Sequence, residues 1–239
     1  MDLKDQVAVI TGAGGGIGGA IAIDLGKRGA KVALLGRTLE KLQTVAQQAA
    51  SNNARCYALD LTRDQEVLKL AGQIRGDFVQ VDILVHAAAE IVLGSVAGAR
   101  PEELDRQYQT NLRAPMVLTQ ALLPCLKSSK GQIVFINSSA ALQARVNASQ
   151  YAATKHGLKA FADSLREEVN ADGIRVLSLF LGRTASAMQE KIFESEKRQY
   201  RPELLLQPED VASTVGHTLC LPRTAEVTEI HMRPLIKSY

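Results

Sequence analysis

Short apolar runs alternate with amphipathic stretches along the whole chain. Val7-Ala8-Val9-Ile10 is apolar at every position, the pattern of a strand buried on both faces. Over residues 17–28 the apolar positions recur at helical spacing, and Gly29 suits the left-handed residue that ends a helix. The couplet then repeats. Strands are predicted over 31–36, 55–59, 81–86, 132–136 and 174–180, with a seventh over 227–232. Helices are predicted over 39–50, over 64–75 with Asp64 as cap and Gly76 behind, and over 150–171 closed by Gly173. Another starts at Pro101, where Glu102 and Glu103 suit the positive end of the helix dipole.

Strands alternating with helices imply right-handed crossovers and a mostly parallel sheet covered on both faces. No Pro/Ser-rich linker or internal repeat divides the chain. The expected fold is a single α/β domain over 1–239: a doubly wound, Rossmann-like, mostly parallel seven-stranded sheet. Residues 182–208 are polar and mixed and follow a strand end, where open α/β sheets bind ligands. They read either as a substrate lid or as a plain surface helix.

A length of 239 residues suits one such domain, and a net charge of +3 with interspersed signs gives no basic patch for nucleic acid. Trp is absent and aromatics are few, which also argues against base stacking. Cys56, Cys125 and Cys220 have no disulfide or metal spacing, and His86, His156, His217 and His231 form no ligand pair. Reduced thiols in a cytoplasmic setting and no metal are therefore expected. The first residues carry no apolar signal region, and no apolar run reaches the ~20 residues that span a bilayer.

The chemistry starts at Thr11-Gly12-Ala13-Gly14-Gly15-Gly16-Ile17-Gly18-Gly19, between the first strand and first helix. Glycines there permit a tight turn and let backbone N–H groups approach a pyrophosphate. The run fits a dinucleotide motif at Gly14, Gly16 and Gly19 and another at Gly12, Gly16 and Gly18. No Lys-Ser/Thr follows, so it is not a P-loop. The second strand ends in Gly36-Arg37 where an NAD site would carry a carboxylate for the ribose. A guanidinium suits a 2′-phosphate, so NADP is expected over NAD. Asp60 either accepts from the adenine amino group or caps the next turn.

Of five tyrosines, only Tyr151 has a lysine, Lys155, four residues later. On a helix the two share a face, and an ammonium beside a phenol favours the phenolate. The pair can therefore make an acid or base from a group whose ordinary pKa is ~10.

With TGAGGGIG at 11–18, Asp60-Leu61-Thr62, Asn111, Ile136-Asn137-Ser138-Ser139, YxxxK at 151–155, and Gly182 with Thr184, the chain resembles the short-chain dehydrogenase/reductase family over nearly its whole length. The resemblance implies a tetrad of Asn111, Ser138, Tyr151 and Lys155. Tyr151 passes a proton to or from the substrate oxygen, and Ser138, with Ser139 as its rival, bonds that oxygen. Lys155 holds the nicotinamide ribose and lowers the Tyr151 pKa, and Asn111 supports a water relay. It further implies cofactor contacts from Gly12, Gly14, Gly16, Ile17, Gly18, Arg37, Asp60, Leu61, Ala88, Tyr151, Lys155 and Thr184. The activity implied is hydride transfer between NADP and a small carbonyl or alcohol, in a homodimer or homotetramer. A non-enzymatic NADP-binding regulator or an interaction protein is the alternative.

Two positions depart from the family pattern. His86-Ala87-Ala88-Ala89 replaces Asn-Asn-Ala-Gly, which removes the asparagine bonds that brace the sheet. Leu181-Gly182 replaces Pro-Gly, which loosens the loop leaving the sixth strand. Pro115, four residues after Asn111, cannot bond the Asn111 carbonyl, so a bend that frees this carbonyl for a relay water is expected.

Overall fold

The computed structural model describes residues 3–49 and 54–236. Its seven strands are β1 (Val7–Thr11), β2 (Lys31–Gly36), β3 (Arg55–Ala58), β4 (Ile83–His86), β5 (Gln132–Ser138), β6 (Arg175–Leu181) and β7 (Glu229–Met232). They form one sheet in the order β3-β2-β1-β4-β5-β6-β7, and every neighbouring pair is parallel. The order reverses between β1 and β4, which opens a crevice at the carboxyl ends of these strands.

The helices are α1 (Gly16–Lys27), α2 (Leu39–Gln48), α3 (Asp64–Asp77), α4 (Pro101–Tyr108), α5 (Ala114–Ser129), α6 (Ser149–Val169), α7 (Ala187–Ser195) and α8 (Pro208–Leu219). Strand alternation divides the apolar side chains between two cores. Ala8, Ile10, Val134 and Ile136 pack with α1, α2 and α8; Val7, Val9, Ile133 and Phe135 pack with α3, α5 and α6. Each fully buried Leu or Ile contributes roughly 1.5–3 kcal/mol. Leu158, Leu165 and Val169 of α6 are buried in the second core with Phe161 against them, so this face of α6 packs on the sheet.

Several boundaries differ from expectation. Asp64 is the first residue of α3, with Arg63 as its cap, and the helix runs through Gly76 to Asp77. A Cβ on Gly76 would meet nothing, so no contact stops the helix there. The predicted end of α2 at Ala50 lies outside the described residues. β5 extends two residues beyond Ile136, because Asn137 and Ser138 pair with Phe180 and Leu181 of β6. Residues 182–208 hold α7 and a short turn at Pro202–Leu204, around a small apolar cluster of Ala185, Phe193 and Leu205.

Between α4 and α5 the chain widens into a π-turn, Gln109–Arg113, in which the Ala114 N–H reaches back to the Gln109 carbonyl. Pro115 follows directly, and its missing N–H and its ring both disfavour a regular turn above Asn111. The expected bend thus takes the form of a wide turn within a continuous helical segment.

Candidate active site

The glycine turn lies at the reversal point of the sheet. Gly12 has φ +67°, and a Cβ on it would sit 2.9 Å from the Ala88 backbone. A Cβ on Gly18 would sit 2.5 Å from the Gly12 carbonyl oxygen, and Gly16 has φ +53°. The steric need for glycine thus falls on Gly12, Gly16 and Gly18; a Cβ on Gly19 would come no closer than 3.3 Å. Gly15, at φ +150°, faces open space. α1 begins here with no side-chain cap and no acidic residue in its first turn. Its first N–H groups and the dipole therefore point into an open glycine cradle, which fits a dinucleotide pyrophosphate. Half-buried Ile17 packs from α1 onto the first core.

At the end of β2, Arg37 is exposed. A Cβ on Gly36 would lie 3.1 Å from Leu42, so a carboxylate there would press on α2. Lys41, in the first turn of α2, borders the cradle: a Cβ on Gly14 would be 3.3 Å from its Cβ. The Asp60 Oδ1 accepts from the Thr62 N–H at 3.0 Å and its hydroxyl at 2.8 Å. These bonds, led by the backbone one, hold the Asp60 carboxyl below its usual range with help from Arg63 and Arg37. Asp60 therefore caps its own turn through Oδ1, which leaves its second carboxylate oxygen available to an adenine amino group. Leu61 beside it is buried, and half-buried Ala88 faces Gly12.

The loop after β4 is braced without the asparagines. The Thr11 hydroxyl accepts from the N–H groups of Ala87 at 3.0 Å and Ala88 at 3.1 Å and donates to the Val85 carbonyl at 3.3 Å. His86 is buried, 2.9 Å from the Thr119 hydroxyl and stacked on Phe135 with ring centroids 4.9 Å apart. Burial pushes its pKa down to about 3, so the brace is a neutral imidazole. The loop after β6 is also held: Gly182 donates to the Met232 carbonyl at 2.8 Å, and Thr184 bridges to Leu206. The expected loosening at both loops is corrected by these contacts. Buried Thr184 turns its hydroxyl to the Gly182 carbonyl. Ser186, two residues on, lies against the cradle, its Cβ 3.9 Å from where a Cβ on Gly16 would stand.

Ser138, Tyr151 and Lys155 converge where β5 meets the start of α6. Ser138 is half-buried and pulls the Tyr151 pKa down, which favours the phenolate; Ser139 is exposed. The Ser138 Oγ also accepts from the Ala140 N–H at 3.2 Å. Lys155 is 2% exposed, donates to the Ile136 carbonyl at 3.1 Å, and has its Nζ 5.8 Å from the centre of the Tyr151 ring. Burial moves both groups toward neutrality: Tyr151 rises to about 12, and Lys155 falls to about 8. The expected lowering of the Tyr151 pKa by Lys155 is not seen in the cofactor-free site, where burial raises it and the opposing pull comes from Ser138.

Asn111 is buried, and its side chain acts as a clamp. Its Oδ1 accepts from the Glu90 N–H at 2.7 Å, and its Nδ2 donates to the Glu90 carbonyl at 2.8 Å and the Thr154 hydroxyl at 3.1 Å. Three positioning residues lie within the motifs quoted above, which assign them no role. Thr11 and Thr154 are as described; Asn137 donates to the Lys155 carbonyl at 3.3 Å and accepts from the Ser138 N–H at 2.8 Å. Their signal is a polar residue at a position the apolar period marks as buried.

The short-chain dehydrogenase model matches residues 6–197. An uncharacterised oxidoreductase of Staphylococcus aureus (strain USA300) is 32% identical over 234 residues, covering 98% of this chain and 99% of that protein. A metagenomic short-chain oxidoreductase solved with NADP is 30% identical, with a TM-score of 0.85 and 98% and 99% of the two chains covered. A variant of the actinorhodin polyketide ketoreductase solved with NADPH is 27% identical, with a TM-score of 0.87 and 95% of each chain covered. No helix among the described residues is long and apolar enough to cross a membrane.

Proposed function

Because the chain belongs to the short-chain dehydrogenase family, we propose that it is an NADP-dependent reductase of a small carbonyl compound, with Tyr151 as the general acid. One observation carries the reading: where β5 brings Ser138 to the start of α6, buried Lys155 holds its Nζ 5.8 Å from the centre of the Tyr151 ring. When bound, the nicotinamide cofactor supplies the hydride.

The chain's own residues do the rest. Gly12, Gly14, Gly16, Ile17 and Gly18 form the cradle for the phosphates, with Leu61 and Ala88 at its side and Asp60 toward the adenine. Exposed Arg37, with Lys41 beside the cradle, binds the 2′-phosphate. Thr184 and Ser186 close the nicotinamide end. Ser138 orients the carbonyl oxygen, and Tyr151 delivers its proton there. A phenol with a pKa of about 12 is protonated at neutral pH, the state that reduction needs. Lys155, with a pKa of about 8, is mostly cationic at pH 7, and one of its three N–H donors is engaged by Ile136. It steadies the phenolate left behind, and its other donors hold the ribose. Asn111 supports proton resupply through water. The active form is a cytoplasmic homodimer or homotetramer, a reading that light scattering at the mass of one chain would overturn.

Tyr151→Phe keeps the ring and removes the proton. NADPH oxidation against a panel of carbonyl compounds should fall at least 100-fold, the scale of one acid catalyst. NADPH affinity, read by its fluorescence, should stay within a few-fold. Undiminished turnover would refute the role.

A further inference from the structure

The segments around Ser138 and Tyr151 carry apolar side chains that join neither core. The loop after β4 is fixed at two points, one in α6 and one just before it. Asn111 ties Glu90 to Thr154, three residues beyond Tyr151, and the Gly94 N–H donates to the Asn147 carbonyl at 2.8 Å, four residues before Tyr151. The stretch between these anchors, Ile91-Val92-Leu93, therefore runs past the first turns of α6, where Tyr151 stands. Its course is fixed further by the Val92 N–H, which donates to the Gln107 Oε1 at 3.1 Å. All three residues are half-buried, and none belongs to a core cluster.

On the other side, Leu142 follows Ser138 within one turn, its N–H bonded to the Ser139 carbonyl at 3.1 Å, and Val146 adjoins Asn147. Leu142 is 42% and Val146 90% exposed. Of the charged groups on the flanking segments, Glu90 pairs with Arg106 at 3.1 Å and Arg183 with Glu196 at 2.7 Å, while Arg145 is exposed between Leu142 and Val146. Apolar residues from two separate loops thus flank the segments that carry Ser138 and Tyr151, and burying them favours an apolar ligand.

We infer that the substrate is an uncharged carbonyl compound with an apolar arm, seated between the 91–93 stretch and Leu142 with Val146. The inference rests on the reductase reading above.

The test is a series of straight-chain methyl ketones with NADPH and the full chain. Each added methylene that enters the site should raise kcat/KM about fourfold, from ~0.8 kcal/mol per buried CH₂. A ketone of equal length ending in a carboxylate or ammonium should be at least tenfold poorer. Leu142→Asn, at an exposed position, should make the chain-length dependence shallower. A flat series, a preference for the charged ketone, or an unchanged slope in Leu142→Asn would overturn the inference. A parallel arm measures binding of straight-chain N-alkyl amides, which are not reduced, to the NADPH complex by cofactor fluorescence. Affinity rising with length while no ketone turns over would support the apolar site and sink the reductase reading. Affinity independent of length would sink the apolar site, whatever the turnover.

Discussion

Replacing Lys155 by methionine exchanges a buried ammonium for an apolar chain of similar length. Holding the cation inside lowers its pKa from 10.5 to about 8. At ~1.4 kcal/mol per unit, the charged form costs the fold about 3 kcal/mol at pH 7. The sign follows from proton counts: between about 8 and 10.5 the unfolded lysine holds a proton that the folded one has lost, so stability rises with pH there. Below about 8 both states are charged and the whole cost is felt. By pH 9.5, about 2 kcal/mol of it should be recovered. The methionine variant has no such dependence, though it leaves the Ile136 carbonyl without its Lys155 donor, a loss of about 1–3 kcal/mol. Urea unfolding of both cofactor-free proteins should therefore show a difference that shifts by about 2 kcal/mol toward the parent between pH 7 and 9.5. That range stays below the Tyr151 titration, and other groups cancel in the difference. A difference that stays constant with pH would refute the argument that burial controls this lysine.

Gly36→Asp puts a Cβ 3.1 Å from Leu42 and a carboxylate beside Arg37; NADPH should lose at least tenfold in kcat/KM relative to NADH, measured with one ketone and both cofactors. Gly18→Ala drives a methyl to 2.5 Å from the Gly12 carbonyl, and the melting temperature should fall by an amount equivalent to several kcal/mol. Thr11→Val keeps the shape and removes the hydroxyl shared by Ala87 and Ala88; about 1–3 kcal/mol of stability should be lost, with faster amide exchange at these two residues.

The succession of strands and helices along the chain and the glycine turn were legible because they rest on local signals: apolar runs, helical spacing, and glycines where the backbone must approach itself. Ends were less legible where a partner sets them. β5 reaches Ser138 because β6 offers Leu181 to pair with, which nothing in Ile136-Asn137-Ser138 announces. The braces that replace the asparagines were hidden for a similar reason, since Thr11 meets Ala88, and His86 meets Thr119, only after the sheet assembles. The pairing of Tyr151 with Lys155 was visible as a spacing. The direction of the Tyr151 shift was not, because sequence reveals the charge of a neighbour but not the depth at which both groups lie.

The wide turn at Gln109–Arg113 holds one residue more per revolution than the coils on either side. A chain shorter by one residue there would still be helical, but everything beyond would rotate by about 100°. Leu118, Leu122 and Leu126 would swing off the sheet while Asn111 kept its grip on Glu90. This segment is thus a phase adjuster that lets one rod serve two masters, a polar clamp at one end and a leucine seam at the other. Insertions and deletions should be tolerated in the outer loops long before they are tolerated here.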